Sequence, residues 1–139
     1  MDLAIRDYAP YREGEILPLY ESVGWTNYTR DPKMLESAYR NSLLALGAYE
    51  GEKLVGVVRT VGDGCSIVWI QDILVLPDYQ RKGIGTALMK AVLERFVHVY
   101  QIELATDDTE KTKAFYRSLG FSPLHEIGCC GFLKMGLQR

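Results

Sequence analysis

The chain has 139 residues, with 16 Lys and Arg against 18 Asp and Glu, which gives a formal net charge of −2. Its 47% hydrophobic, 11% aromatic and 24% charged residues exclude a disordered chain and read as one globular domain, 1–139. The near-neutral balance excludes a nucleic-acid binder that works through bulk positive charge.

In chain order, residues 3–8 alternate weakly and predict a first strand. Residues 11–23 follow as a helix, with Ile16, Leu17 and Tyr20 at helical spacing. Residues 24–32 are aromatic, polar and bounded by Gly24 and Pro32, so they read as a loop. Asp31 then caps a second helix that has Pro32 in its first turn and runs to Asn41. Two strands, 43–49 and 53–61, flank the hairpin signal Glu50-Gly51-Glu52. Residues 66–76 are almost continuously apolar, which predicts a central strand covered on both faces and ended by Pro77. Residues 83–96 stack Ile84, Leu88, Ala91, Val92 and Phe96 on one helical face.

A further strand spans 101–106. Asp107 and Glu110 form a capping box for a helix that carries Thr112, Phe115, Tyr116 and Leu119 and stops at Gly120. Residues 122–138 predict two short strands around a 128–131 turn. The order is β-α-α-β-β-β-α-β-α-β-β. It implies an α+β domain with a mixed sheet of about six to seven strands and about four helices. The helix after Gly83 crosses over between parallel strands.

Cys65, Cys129 and Cys130 form no C-x-x-C pair, and with His98 and His125 they give no zinc spacing. No metal is expected, and the adjacent Cys129-Cys130 is expected to be buried. The N-terminal residues have no long apolar region and no run approaches about 18 apolar residues. A cytoplasmic protein without signal peptide or membrane span is therefore expected.

The chemistry concentrates in Asp72-Ile73-Leu74-Val75-Leu76-Pro77-Asp78-Tyr79-Gln80-Arg81-Lys82-Gly83-Ile84-Gly85-Thr86. A strand leads through a basic, glycine-containing turn into a helix N-terminus. Unpaired N–H groups and the helix dipole favour an anion there. Gly83 and Gly85 lack Cβ and admit close approach of a phosphate. No G-K-[ST] follows, so this is not a Walker A loop. A dinucleotide fingerprint fits poorly, because its third glycine position is Leu88 and residues 77–82 separate strand from glycine. The plainer reading, that both glycines serve tight helix packing, stays open.

Gln80-Arg81-Lys82-Gly83-Ile84-Gly85 resembles the Q/R-x-x-G-x-G/A acetyl-CoA motif of the GNAT N-acetyltransferase superfamily. Ala114-Phe115-Tyr116-Arg117-Ser118-Leu119-Gly120-Phe121 is similar to the same family's A-x-x-F-Y-x-x-x-G-F helix end, with the Ala placed closer here. The resemblance implies acetyl-CoA as co-substrate. The backbone of Gln80, Arg81, Lys82, Gly83, Ile84, Gly85 and Thr86 would hold its pyrophosphate. Ile73, Leu74 and Val75 would pair with the pantetheine arm as an added strand, with a main-chain N–H polarising the thioester carbonyl. Thr109, where the family's helix usually begins with Asn, and Lys113 would complete the contacts to CoA. Tyr116 would protonate the departing thiolate.

Asp72 interrupts an apolar strand, which makes it the candidate general base, with an ammonium anchor or a loop anchor as the other readings. Glu103 is a weaker candidate and reads as a solvated strand residue. Tyr20, Trp25 and Tyr28 are candidates for an aromatic acceptor wall. The stretch from Tyr20 to Trp25, with Asn41-Ser42, is similar to the family's arylalkylamine-acetyltransferase-like branch. The implied function is acetyl transfer from acetyl-CoA to a small primary amine by direct attack in a ternary complex. Acetylation of a protein N-terminus or lysine, and a non-catalytic acyl-CoA-binding module, are the alternatives. The resemblance also implies pairing as a homodimer, and no nucleic-acid or membrane partner is expected.

Overall fold

The computed structural model describes residues 1–136. It divides into two compact units, Met1–Ala105 and Thr106–Arg139. In the first unit, strands β1 (Leu3–Asp7), β2 (Leu44–Glu50), β3 (Lys53–Gly62), β4 (Ile67–Val75) and β5 (Gln101–Leu104) form one sheet in the order β1-β2-β3-β4-β5. The first four run antiparallel, and β5 runs parallel to β4. Helices α1 (Glu13–Ser22), α2 (Thr26–Thr29), α3 (Pro32–Arg40) and α4 (Ile84–Arg95) belong to this unit, and α5 (Glu110–Ser118) to the second. The mixed α+β sheet and the α4 crossover between parallel strands match the expectation. The counts do not: among the described residues there are five strands and five α-helices.

Each departure has a local cause. The expected loop at 24–32 contains a helical turn, because Gly24 at φ +81° ends α1 and Arg30 N–H then closes back on Thr26. Helix α5 is capped by Thr109, whose hydroxyl accepts from Thr112 N–H, and not by Asp107. The two expected tail strands are absent among the described residues, and 137–138 of that segment lie outside them. A 3-10 turn, Leu124–Ile127, stands there, ended by Gly128 at φ +83°. The apolar residues that suggested strands are exposed, Phe132 by 96%. The strand buried on both faces is β3, from Leu54 to Thr60, and not β4.

One layer of the core packs α1, α2 and α3 on the sheet through Ile16, Leu19, Tyr20, Leu35, Tyr39, Leu54, Val57 and Leu74. Helix α4 lies against β1 to β4 and buries Ile84, Leu88, Met89 and Val92. Gly56 lets its start come close: a Cβ there would sit 3.1 Å from Leu74 O and 3.4 Å from an Ile84 methyl.

Strand β4 carries one irregularity. Asp72 pairs with Arg59 and Ile70 pairs with Thr60, so Gln71 is an extra residue with no opposite number. Paired residues share a face, so the bulge changes which face the even-numbered residues of β4 occupy. Asp72 joins Arg59, and Leu74 joins Val57 in the α1–α3 layer. Ile70 shares the opposite face with its partner Thr60. Deleting Gln71 leaves Ile70 opposite Thr60 and Asp72 opposite Arg59, so Asp72 and Leu74 keep their faces and only the local bend is lost. A cooperative urea transition is the expected outcome, and its loss would show that the extra residue does more than shift the register.

Candidate active site

Strand β4 leads into the site with one edge bare. Its ladder with β5 stops at Ile70 and Leu104. Leu76 N–H reaches Val55 O on β3 at 2.9 Å. The alternation of a strand therefore turns the backbone groups of Ile73 and Val75 to the other side, past the end of the β5 ladder. Gln80 folds back there, and its Nε2 donates to Val75 O at 3.0 Å. A 3-10 turn, Pro77–Tyr79, connects the strand to the loop.

The loop reverses through two left-handed residues, Arg81 at φ +62° and Gly83 at φ +82°. Arg81 holds this conformation at a cost of roughly 1–2 kcal/mol, a strain characteristic of binding loops. Ala87 N–H is the first to find a helical partner, Gly83 O at 3.0 Å, and no side chain caps the helix. The amides ahead of it are left for an external acceptor. A Cβ on Gly83 would meet no protein atom within 4 Å, so the turn opens outward. Lys53 and Lys82 place their ammonium groups 5.2 and 5.4 Å from the Tyr79 ring centroid, and Tyr79 donates to Glu50 at 2.9 Å. The chemistry fits a long carrier with an anionic end: peptide-like hydrogen bonding along β4, then amides and cations for a diphosphate. Gln80, Arg81, Lys82, Gly83, Ile84, Gly85 and Thr86 thus adjoin Ile73, Leu74 and Val75, within one unit.

On the α1–α3 face lies a buried polar cluster. Asp72 is 2% exposed. Its Oδ2 accepts from Arg59 Nε at 2.8 Å and Tyr20 at 2.9 Å, and its Oδ1 from Tyr28 at 3.0 Å. Tyr39 and Tyr20 hydroxyls lie 2.8 Å apart, and since Tyr20 donates to Asp72, Tyr39 donates to Tyr20. Arg59 also reaches Ser42 Oγ at 3.3 Å and stacks over the Tyr39 ring. Outward, Trp69 Nε1 donates to Gln71 Oε1 at 2.8 Å, and Gln71 Nε2 donates to Tyr28 at 3.3 Å.

Burial drives the phenols of Tyr20 and Tyr39 well above the ordinary tyrosine range. Burial, aided by the Asp72 charge, raises that of Tyr28. All three stay neutral donors near pH 7. Burial works against the Arg59 charge, but Asp72 more than offsets it and Arg59 remains a cation.

Sequence reasoning anticipates a lone carboxylate at Asp72. The structure instead supplies three donors, which occupy most of its acceptor positions. Of the expected aromatic wall, Tyr20 is fully buried and offers no surface, while Trp25 and Tyr28 are half-buried, their ring centroids 6.4 Å apart. Arg59, which the sequence reading misses, left one trace there: a single cation inside an apolar strand.

In the second unit, α5 carries Thr109, Lys113 and Tyr116. The Thr109 hydroxyl is engaged by Thr112, and Lys113 Nζ lies 2.6 Å from Asp108. Tyr116 is half-buried between Phe115 and Phe121. Burial raises its phenol, against a hydrogen bond with Thr106. Cys65 is exposed, and so are Cys129 and Cys130, contrary to the expectation of burial for that pair, because their segment lies outside any strand or helix. Among the described residues no group of three or more His, Cys, Asp or Glu could hold a metal, and no helix is long and apolar enough to cross a membrane.

Breaking the buried pair from one side leaves an uncompensated charge. Arg59→Met should lower stability by about 3–5 kcal/mol, and Arg59→Met with Asp72→Leu should recover most of it. Urea unfolding of the single and double variants checks this. Additive losses would show that the two residues do not act as a pair.

Residues 8–121 match the model of the Acetyltransferase (GNAT) family. A solved GNAT family acetyltransferase from Streptococcus pneumoniae is 43% identical, covering 99% of this chain and 100% of that one, with a TM-score of 0.88. An uncharacterized N-acetyltransferase of Prochlorococcus marinus is 30% identical over 124 residues, 85% of this chain and 67% of its own length. AAC(6')-Iy, solved in complex with the bisubstrate analogue CoA-S-monomethyl-acetylneamine, shares the fold at 16% identity, covering 100% of this chain and 99% of that one, with a TM-score of 0.67. The chain spans about half to two thirds of the length of the curated relatives it matches.

Proposed function

The chain belongs to the GNAT acetyltransferase family, and from that premise we propose that it moves an acetyl group from acetyl-CoA to the primary amine of a small molecule. The observation that carries this reading is the junction of a β4 edge that no strand covers beyond Ile70, with only the Gln80 side chain on Val75 O, and the left-handed turn before α4. The amides of residues 81–86 take the pyrophosphate, while Arg81 and Lys82 supply positive charge. Ile73 and Val75 hydrogen-bond the pantetheine arm, and a fixed N–H on the same stretch polarises the thioester carbonyl. Thr109 and Lys113 add contacts to CoA.

Transfer is direct. The amine nitrogen attacks the carbonyl carbon, the C–S bond breaks, and the sulfur takes a proton from Tyr116. A neutral phenol suits that donation, and burial keeps Tyr116 neutral. Asp72 serves here as an anchor. Its charge is met by Arg59, and its oxygens fix Tyr20 and Tyr28 beneath the acceptor side. The half-buried Trp25 and Tyr28 favour an acceptor with an aromatic or apolar body, which makes aryl-alkyl amines the first class to assay.

Gly83→Glu should abolish acetyl-CoA binding in calorimetry, because it sets a carboxylate among the phosphate donors and a side chain at φ +82°. Unchanged affinity would remove the cradle. Tyr116→Phe should cut kcat by about tenfold to a thousandfold with acetyl-CoA affinity retained. A wild-type kcat would remove the acid role. Thiol release across aryl-alkyl amines, polyamines, aminoglycosides and short peptides tests the acceptor class. Turnover confined to peptides would move the assignment to protein acetylation.

A further inference from the structure

We propose that Glu103 is the general base that takes the proton of the incoming ammonium. The inference rests on the amine-acetylation reading above. Its starting point is that Asp72 is spent: three donors hold it, one of them a buried guanidinium, and it is 2% exposed. A base must reach the nitrogen before its basicity matters.

Glu103 has the access that Asp72 lacks. It lies on β5 directly beside Trp69 of β4, in parallel register. Trp69 in turn pairs with Val61, which by alternation lies on the same face of β3 as Arg59. The register therefore sets Glu103 on the acceptor face, next to the polar row Trp69, Gln71 and Tyr28. It is half-buried, and among the described residues its side chain makes no hydrogen bond and no ion pair. The next residue, Leu104, makes the last pair of the β4–β5 ladder. Glu103 thus stands where the sheet opens and the bare edge of β4 begins. The charged and titratable groups of the cluster beside Trp69 and Gln71 are Arg59 of β3, Asp72 of β4, Tyr20 of α1, Tyr28 of α2 and Tyr39 of α3, while Tyr8, Tyr11 and Tyr49 lie elsewhere in the same layer. Arg59 and Asp72 neutralise one another, and the three phenols stay neutral. Beside this neutralised cluster, Glu103 offers a carboxylate without a side-chain partner among the described residues to meet an ammonium.

Over one turnover the nitrogen gives up two protons. The first passes to the Glu103 carboxylate and then to solvent, freeing the lone pair that forms the C–N bond. The second balances the proton gained by sulfur when the C–S bond breaks with its electron pair. Tyr28, anchored by Asp72 and Gln71, orients the acceptor and is a positioning residue unless its hydroxyl touches the amine.

The test compares two acceptors in the thiol-release assay at neutral pH. The first, 2-phenylethylamine, is an ammonium ion and needs a base. The second, phenylhydrazine, is already neutral. Glu103→Gln should lower kcat about a hundredfold with 2-phenylethylamine and less than about threefold with phenylhydrazine. Its acetyl-CoA affinity and urea midpoint should stay at the wild-type values. Equal losses on both acceptors, or none on either, would overturn the base role. If the wild-type protein binds acetyl-CoA but releases thiol with neither of these nor with any polyamine or aminoglycoside, the small-amine reading falls instead, and Glu103's role falls with it. A second variant, Glu103→Asp, should recover part of the lost rate on 2-phenylethylamine, and failure to exceed Glu103→Gln counts against proton transfer.

Discussion

One extra residue in β4 governs both halves of the site. Because Gln71 has no partner on β3, the strand bends there, and the residues beyond it exchange faces. On one side this brings the Asp72 carboxylate against Arg59. On the other, the bulge begins where the ladder with β5 ends, so β4 runs on with a free edge. With Gln71 paired in regular register, the carboxylate would have pointed toward α4. The open edge of β4 and the buried charge thus begin at the same backbone irregularity.

The ion pair that results is better understood as a fastener than as a source of stability. A buried pair returns little net free energy against the desolvation of both ions. Its partners, however, come from every element of the layer. Tyr20 arrives from α1, Tyr28 from α2 and Tyr39 from α3, and Ser42 follows α3. Three helices joined by short turns could slide on a purely apolar sheet face. Hydrogen bonds to a fixed carboxylate and guanidinium allow one arrangement, which holds Trp25 and Tyr28 in place above β4.

The sequence is readable where the signal is local. Helical spacing located α1, α3, α4 and α5 to within a few residues, and the Gly-rich turns located the hairpins. The turn before α4 was legible in part: Gly83 marks one positive φ and Arg81 and Lys82 stand beside it, whereas nothing in its residue type says that Arg81 is left-handed too. The bulge was illegible, since Gln71 is an ordinary polar residue and only the register with β3 exposes it. The partner of Asp72 was hidden for the same reason. Arg59 is 13 positions away, and nothing in either strand alone says that the two face each other. The tail failed differently. Its alternating apolar residues satisfy the strand pattern, but a strand also needs a neighbour to bond, and periodicity does not report one.

The division of labour between backbone and side chains explains why the acyl donor is easier to assign than the acceptor. In the proposed reaction, donor recognition would use main-chain amides, an open strand edge and a helix start, features that depend on φ, ψ and a few glycines. Acceptor recognition would fall to side chains that differ in kind: Trp25, Tyr28, Gln71 and Glu103. Substitutions among these four leave the turn before α4 untouched, so acceptor choice can change while donor binding stays fixed. Their placement is still not independent. Tyr28 and Gln71 are hydrogen-bonded to each other, and Tyr28 rests on Asp72, so a change of acceptor that removes the phenol also strips one donor from a buried carboxylate. The acceptor side is thus tied to the core through Tyr28, whereas Glu103 makes no such bond and is the position most free to vary without unsettling the fold.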